Sequence, residues 1–132
     1  MMFIDASALT AILAGEPDAA SLVARLQQAH QRMTSPLVVW EATIALARIL
    51  DLPLAKAQRA VRDYLALASI EVVAVPPRAA DGAIEAFDRY GKGRHPAGLN
   101  SGDCFAYACA QAYGMPLLFK SDDFPLTDIP AA

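Results

Sequence analysis

Four short apolar runs alternate with longer amphipathic segments along this chain, and that alternation most limits its fold. The runs are Met1–Ile4, a short one that starts at Met33, the β-branched segment 70–75 and the segment 115–119. Continuous apolar runs of this length indicate strands buried on both faces. Strands separated by helices form a parallel sheet with helices on both sides. The sequence therefore predicts one three-layer α/β/α domain over residues 1–132, with a central, mainly parallel sheet of four to five strands.

Six helices are predicted between and after these strands. Their approximate ranges are 5–16, 17–32, 35–50, 52–68, 77–91 and 101–114. Pro17 is expected at the start of the second helix. Ser35 and Pro36 have the residue types of an N-cap and a first helical position. In the fourth helix, Leu54 is expected to face inward together with Val61 and Leu65.

Composition excludes several classes of protein. No uncharged apolar run is long enough for a membrane span, and the first residues lack the features of a signal peptide, so we expect a cytoplasmic protein. Cys104 and Cys109 are five residues apart on a predicted helix, which places them on different faces, and both are expected to be reduced. His30 and His95 are far apart in sequence, which makes a zinc site improbable. The net charge of −3 argues against broad, unaided binding of nucleic acid but not against phosphate contact through a metal.

Asp5 follows the first apolar run directly, with Ala6 and Ser7 behind it. Open α/β sheets bind ligands outside the carboxyl ends of their strands, so this carboxylate is expected to project into such a crevice. Asp is also a frequent N-cap residue, and taken alone the cap is the simpler explanation.

Glu41 is the second carboxylate in an unexpected place. Its helical neighbours three and four residues away include Leu37, Val38 and Ile44, so it falls in the apolar stripe of its predicted helix. A charge on a buried face is costly unless it is paired or bound to a metal. There are two alternatives. Glu41 pairs with an arginine, or it lies at the margin of the stripe and reaches water.

Further carboxylates follow at the same predicted edge of the sheet. Asp103 lies in the first turn of a nearly all-apolar helix, where it also complements the helix dipole. Asp122 and Asp123 follow the last strand, where an ordinary Asp-rich turn is the alternative. Several carboxylates in one cleft repel each other, and a divalent cation relieves the repulsion. Ligation by oxygen alone suits Mg²⁺ or Mn²⁺.

The segments that carry these residues resemble the successive motifs of the PIN-domain ribonucleases. They are FIDASALTAIL, SPLVVWEATIAL, NSGDCFAYACAQAYGMPLLFKSDDF and TDI, in this order over essentially the whole chain. The resemblance is closest to the VapC type, the toxin half of bacterial toxin–antitoxin pairs. It implies a PIN-like α/β/α fold and a metal-dependent endoribonuclease that hydrolyses RNA through an acidic Mg²⁺ or Mn²⁺ site.

The resemblance also implies roles for single residues. The catalytic and metal-binding candidates are Asp5, Ser7, Glu41, Asp103 and Asp122, with Asp123 as the alternative to Asp122. Asp5 and Asp103 are expected to bind the ion directly, while Glu41 binds it or orients the attacking water. The fourth carboxylate completes the outer shell or a second metal site, and Ser7 orients a carboxylate or a metal-bound water.

RNA contacts on an acidic protein require local cations. Lys92, Arg94 and His95 lie in a Gly-rich loop shortly before Asp103, and Lys120 follows the last strand. These four are the candidate RNA contacts, with an exposed, solvated loop as the alternative for the first three. Lys120 is also placed to pair with a carboxylate. Further candidates on the predicted helices are Arg48, Lys56, Arg59 and Arg62.

The family resemblance implies two protein partners, a second copy of the chain in a homodimer and a cognate antitoxin whose tail covers the acidic site. The apolar helices around 36–50 and 53–68 are the expected groove walls.

Two other functions compete with this interpretation. A metal-dependent phosphatase or phosphoacceptor domain typically has a second acidic residue next to or two after the first, where this chain has Ala6 and Ser7. A catalytically silent interaction module is the other alternative, although every acidic position is filled.

Overall fold

The computed structural model describes all 132 residues and shows four short strands and six helices. In chain order they are β1 (Met2–Ile4), α1 (Ala6–Ala14), α2 (Ala19–Gln27), β2 (Arg32–Thr34), α3 (Pro36–Leu50), α4 (Leu54–Leu67), β3 (Ile70–Val72), α5 (Ala79–Tyr90), α6 (Ser101–Ala112) and β4 (Leu117–Leu118). A short 3₁₀ turn at Phe124–Leu126 follows the last strand. The predicted order of strands and helices is confirmed.

All four strands belong to one parallel sheet with the order β3-β2-β1-β4. Phe3 is opposite Met33 on one side and Leu117 on the other, and Ile4 is opposite Leu118. The chain adds β2 and β3 on one side of β1 and then returns to place β4 on the other. The strand order therefore reverses between β1 and β4, and α/β sheets bind ligands outside the carboxyl ends of the strands at this switch point.

The buried apolar side chains form one continuous core between the sheet and its helices. Helix α6 packs on β1 and β4 and is covered by α5, while α3 packs against α1 and α4. Phe3, Ile4, Leu117 and Leu118 are buried at the centre of the sheet. Because β1 and β4 are paired, the residues that follow these two strands start next to each other at one edge of the sheet. No helix has both the length and the apolar character needed to cross a bilayer.

Several predicted details hold and others are wrong. Ser35 caps α3 by accepting a hydrogen bond from Val38 N at 3.3 Å, with Pro36 as the first helical residue. Pro17, however, lies before α2, which begins at Ala19. Leu54 is exposed because it occupies the first residue of α4, beyond the end of the core.

The last two strands are shorter than their apolar runs. β3 ends at Val72 although β-branched residues continue to Val75, and the chain then leaves the sheet before two prolines. Proline has no backbone N–H to give to a strand ladder. Cys104 and Cys109 are buried free thiols, as predicted.

Candidate active site

Asp5 both ends β1 and caps α1. Its backbone is extended, and its Oδ2 accepts hydrogen bonds from Ser7 N at 3.0 Å and from Ser7 Oγ at 2.6 Å. The residue is only 4 % exposed. Burial raises the pKa of the Asp5 carboxyl, although the hydrogen bonds from Ser7 act in the opposite direction. The predicted N-cap is present, but its hydrogen bonds lower the pKa of Asp5 by less than burial raises it.

Ser7 joins the ends of the two central strands. Its Oγ donates to Asp5 Oδ2 and accepts a hydrogen bond from Lys120 N at 2.9 Å, just after β4. One hydroxyl therefore orients the first carboxylate and also ties the start of α1 to the segment after β4.

Asp103 lies in the first turn of α6 and forms a capping box with Asn100, the N-cap residue. Asp103 N donates to Asn100 Oδ1 at 2.9 Å, and Asn100 N donates to Asp103 Oδ2 at 3.1 Å. The pKa of Asp103 is raised to about 6, mainly by burial and in addition by the charges of Asp5 and Asp123, while the hydrogen bond with Asn100 acts in the opposite direction. The spacing Asn-x-x-Asp is a sequence signature of such a box, and it could have identified Asn100 as the residue that orients Asp103.

Glu41 extends from α3 toward Asp5 and Asp103. Burial, together with the negative charges of Asp5 and Asp103, raises the pKa of Glu41 to about 7. None of the ion pairs in the structure includes Glu41, so the alternative in which it pairs with an arginine is not observed.

The predicted place of Glu41 within a buried stripe is wrong. The buried side chains of α3 are Val38, Ala42 and Leu46, whereas Leu37 is exposed beside it. Glu41 lies half-buried at the edge of that stripe, which matches the alternative in which it reaches water.

Gly102 is a site residue that sequence reasoning missed. A β-carbon at this position would come within 2.4 Å of both carboxylate oxygens of Glu41. The absence of a side chain at residue 102 therefore lets the Glu41 carboxylate lie against the backbone directly before Asp103.

The two consecutive aspartates after β4 are placed differently. Asp123 is half-buried, and its charge raises the pKa of Asp103. Asp122 is exposed and does not contribute to the pKa shift of Asp5, Glu41 or Asp103. The structure therefore places Asp123, and not the preferred Asp122, beside the acidic cluster.

Asp5, Glu41 and Asp103, called the acidic centre below, fit a hard divalent cation by the chemistry of their donors. All three offer oxygen only, and the ion pairs of the structure involve other residues. The charges of Asp5 and Asp103 raise the pKa of Glu41, and the charge of Asp5 raises that of Asp103; a bound cation removes this repulsion. No three acidic, His or Cys side chains are arranged to hold a metal ion in this structure, so binding requires these carboxylates to draw together.

The predicted cations of the Gly-rich loop are engaged in local contacts. Arg94 pairs with Asp88 at 3.1 Å, and His95 Nδ1 accepts a hydrogen bond from Ala97 N at 3.0 Å. Lys92 is exposed. These contacts hold the shape of the loop, and none of the three residues lines the clefts at the acidic centre.

Lys120 lies close to the acidic centre, but its ammonium group points to other carboxylates. Its Nζ forms an ion pair with Glu16 and lies 3.7 Å from Asp18. The expectation that Lys120 pairs with a carboxylate therefore holds, with partners outside the predicted site.

Two open clefts meet at Glu41. The first, called the aromatic cleft, has a volume of about 500 Å³ and is lined by Leu37, Trp40, Glu41, Asn100, Ser101, Gly102 and Phe105. The second, called the arginine cleft, has a volume of about 320 Å³ and is lined by residues that include Ser7, Thr10, Glu16, Glu41, Arg48 and Lys120. A ligand that reaches the acidic centre has room to extend to both sides of it.

Comparison with known proteins gives consistent matches over the full chain. The PIN domain family model matches residues 2–129. Ribonuclease VapC30 of Mycobacterium tuberculosis is 43% identical over 128 residues, which cover 97% of this chain and 95% of the relative. Ribonuclease VapC of Mycolicibacterium smegmatis is 45% identical over 130 residues, which cover 98% of each chain.

A solved structure has the same fold. The crystal structure of Mycobacterium tuberculosis VapC20, described as a toxin that cleaves the sarcin-ricin loop, superposes with a TM-score of 0.76. The match covers 100% of this chain and 98% of the other at 20% sequence identity. The arrangement of sheet and helices is therefore the three-layer fold predicted from the sequence.

Proposed function

This chain belongs to the PIN-domain family and, within it, to the VapC ribonucleases, and we propose that it hydrolyses RNA phosphodiester bonds at the acidic centre with Mg²⁺ or Mn²⁺. The observation that carries the metal dependence is the convergence of Asp5, Glu41 and Asp103 without a cationic partner at the switch point of the sheet. We further propose that the protein acts as the toxin of a toxin–antitoxin pair, as the VapC relatives indicate.

The caps at Asp5 and Asp103 orient the proposed ligands. The bonds from Ser7 end on Asp5 Oδ2, and the bond from Asn100 N ends on Asp103 Oδ2. The Oδ1 atom of each aspartate is therefore the oxygen that the caps do not use. We assign Asp5 and Asp103 as direct ligands and Asp123 as the fourth carboxylate.

Hydrolysis requires an activated water and a place for the negative charge that develops on the phosphate. A bound Mg²⁺ or Mn²⁺ lowers the pKa of its water and neutralises charge on the phosphate oxygens. Glu41, which is half-buried and makes no ion pair, orients the attacking water and accepts its proton. Ser7 holds the Asp5 carboxylate in place during this step.

The experiment that tests this function is cleavage of total cellular RNA by the purified protein in Mg²⁺, Mn²⁺ or EDTA. Asp5→Asn and Asp103→Asn are the test variants, since each removes a charge with little change of shape. Asp63→Asn, an exposed aspartate on α4, is the matched control. We expect cleavage that requires the metal, persists in Asp63→Asn and is lost in both test variants. Cleavage that continues in EDTA or in either test variant would contradict the mechanism.

Exposed apolar residues give the proposed antitoxin a surface to bind. On α3 and α4 these are Leu37, Ile44, Ile49, Leu50, Leu54 and Leu67. Helices α3 and α4 pack against each other, and apolar side chains exposed together in this way are typical of partner-binding faces. We propose that the antitoxin packs on these helices and inhibits cleavage, which purification of the complex followed by RNA cleavage with and without the antitoxin will test.

A second apolar surface supports a homodimer. Ile84 and Phe87 of α5 are exposed and line, with Phe105, an apolar cavity of about 290 Å³. We propose this surface as the dimer interface. Light scattering will test it, with Ile84→Lys expected to give a monomer and the control Leu67→Lys a dimer.

A further inference from the structure

We propose that one RNA strand crosses the acidic centre, with a base stacked on Trp40 in the aromatic cleft and a phosphate bound by Arg48 in the arginine cleft. This inference rests on the ribonuclease function proposed above and adds the path of the substrate. Glu41 lines both clefts, so the two clefts meet at a residue of the acidic centre.

Trp40 is the first observation. It is 64 % exposed although it is the largest apolar side chain of the protein, and it is the only tryptophan. It directly precedes Glu41 on α3 and shares the aromatic cleft with Phe105. Aromatic side chains beside a backbone-binding groove bind single-stranded nucleic acid by stacking on the bases, with little dependence on sequence.

The shape of the aromatic cleft agrees with a base as its occupant. The cleft is lined both by aromatic side chains, Trp40 and Phe105, and by polar residues, Asn100 and Ser101. A nucleobase combines the same two kinds of surface, since its face is apolar and its edge carries hydrogen-bonding groups. The cleft opens directly at Glu41, so an occupying base belongs to a nucleotide next to the bond that is cleaved.

Arg48 is the second observation. It is exposed on α3 seven residues after Glu41, two helical turns and about 10 Å farther along the same side of the helix. None of the ion pairs in the structure involves Arg48. The other cation of the arginine cleft, Lys120, is held by Glu16. Arg48 is therefore the cation of that cleft whose charge is available to a phosphate.

Contacts such as those of Trp40 and Arg48 are needed because the protein carries a net negative charge. At −3 the whole protein repels RNA weakly, so affinity has to come from a few contacts beside the acidic centre. Phosphate contacts fix the position of a strand without reading its sequence. Arg48 and Trp40 together place the strand on both sides of the scissile bond.

The test uses the Asp103→Asn protein in Mg²⁺, so that cleavage does not consume the probe. Oligoadenylate and oligouridylate of eight nucleotides are added while the fluorescence of the single tryptophan is recorded. We expect quenching that saturates, and no quenching by an octamer of abasic nucleotides. Because only residue 40 is a tryptophan, the signal reports this cleft alone.

Variants of the same protein separate the two contacts, with affinity measured by the anisotropy of labelled octamers. We expect Trp40→Ala to bind roughly five- to a hundredfold more weakly and Trp40→Phe to retain most of the affinity. Arg48→Gln is expected to reduce the slope of log affinity against log salt concentration by about 0.7. Leu126→Ala and Arg78→Gln, both exposed and outside both clefts, are the controls.

Several results would overturn the inference. Octamers that bind without quenching, or with the same affinity in Trp40→Ala, would show that no base lies on Trp40. Quenching that follows protein concentration would show that a second copy covers Trp40. Loss of antitoxin inhibition in Trp40→Ala with unchanged RNA binding would assign the cleft to a protein partner.

The outcome also separates this inference from the proposed function. If the wild-type protein cleaves RNA in Mg²⁺ but octamers do not quench Trp40, the function stands and the path is overturned. If octamers quench Trp40 but no RNA is cleaved, the path stands and the hydrolytic function fails.

Discussion

The carboxylate of Glu41 lies against the backbone of Gly102, so close that a β-carbon at residue 102 would be 2.4 Å from both of its oxygens. This contact joins α3 to the first turn of α6 and places Glu41 beside Asp103. The position of one proposed catalytic carboxylate is therefore set by the absence of a side chain on another helix.

Gly102→Ala is expected to reduce cleavage by about a hundredfold, because a displacement of about 1 Å in a catalytic group has an effect of this size. The added methyl group meets the end of a flexible side chain, so Glu41 moves and the fold remains. Alanine is also favoured over glycine inside a helix by about 0.5 to 1 kcal/mol. Steady-state cleavage will measure the loss of rate, and thermal unfolding in EDTA will measure the change in stability.

Gly82→Ala is the control for this experiment, since Gly82 also lies in a helix and the nearest atom to its added β-carbon is the β-carbon of Ala108, at 3.2 Å, and not a carboxylate. It should keep its activity. Equal losses in both variants would mean that helix repacking, and not the position of Glu41, determines the rate.

The fourth carboxylate can be assigned by comparing two adjacent positions. Asp123→Asn is expected to lower activity by about 10- to 100-fold, as is typical when a group that supports a metal site is removed. Asp122→Asn should leave the rate nearly unchanged because Asp122 is exposed. A larger loss in Asp122→Asn than in Asp123→Asn would restore the assignment preferred from the sequence.

The strands and helices were predictable because their signals are local. Ser35 and Pro36 are two adjacent residues that mark the start of α3. The apolar run before Asp5 predicts both strand β1 and its end at Asp5. The confirmed order of elements then places the carboxyl ends of the strands at one edge. Asp5 and Asp103 could be expected near that edge for the same reason.

The missing details depend on contacts that no local pattern contains. The approach of Gly102 to Glu41 joins residues 61 positions apart and follows from how α6 packs on the rest of the domain. The choice between Asp122 and Asp123 depends on a single residue of register in an irregular loop. Glu41 is predicted in a buried stripe because the periodicity of α3 shows which of its residues share a face. It does not show where the elements packed on that face end, and Glu41 lies at that margin.

The hydroxyl of Ser7 should contribute to both stability and activity. Ser7→Ala removes the hydrogen bond to Asp5 and leaves Lys120 N without its acceptor, and we expect a loss of about 1 kcal/mol in the free energy of unfolding. Because this hydrogen bond lowers the pKa of Asp5, its removal should shift the acidic limb of the rate profile to higher pH. Urea unfolding and cleavage rates between acidic and neutral pH will measure these effects. Ser21→Ala, at an exposed position of α2, is the control, and an equal shift there would contradict the role of Ser7.

The stability of the metal-free protein should fall as pH rises through the range in which the acidic centre ionises. The pKa of Glu41 is raised from 4.5 to about 7 and that of Asp103 from 3.8 to about 6, chiefly by burial. Between the ordinary and the raised values the folded protein binds more protons than the unfolded chain, so the free energy of unfolding decreases with pH. We expect a higher melting temperature in EDTA at pH 5 than at pH 8.

Glu41→Gln tests the origin of that slope. The variant removes the charge that the fold disfavours, so it should melt at a higher temperature than the wild type at pH 8 in EDTA and show a smaller change between pH 8 and pH 5. Glu85→Gln, at an exposed position of α5, should keep the slope of the wild type. Mg²⁺ should raise the melting temperature of the wild type at pH 8 and have less effect at pH 5, because protonated carboxyl groups do not bind the ion. A wild-type protein that is more stable at pH 8 than at pH 5 in EDTA would show that Glu41 and Asp103 are not the groups that control its stability in this range.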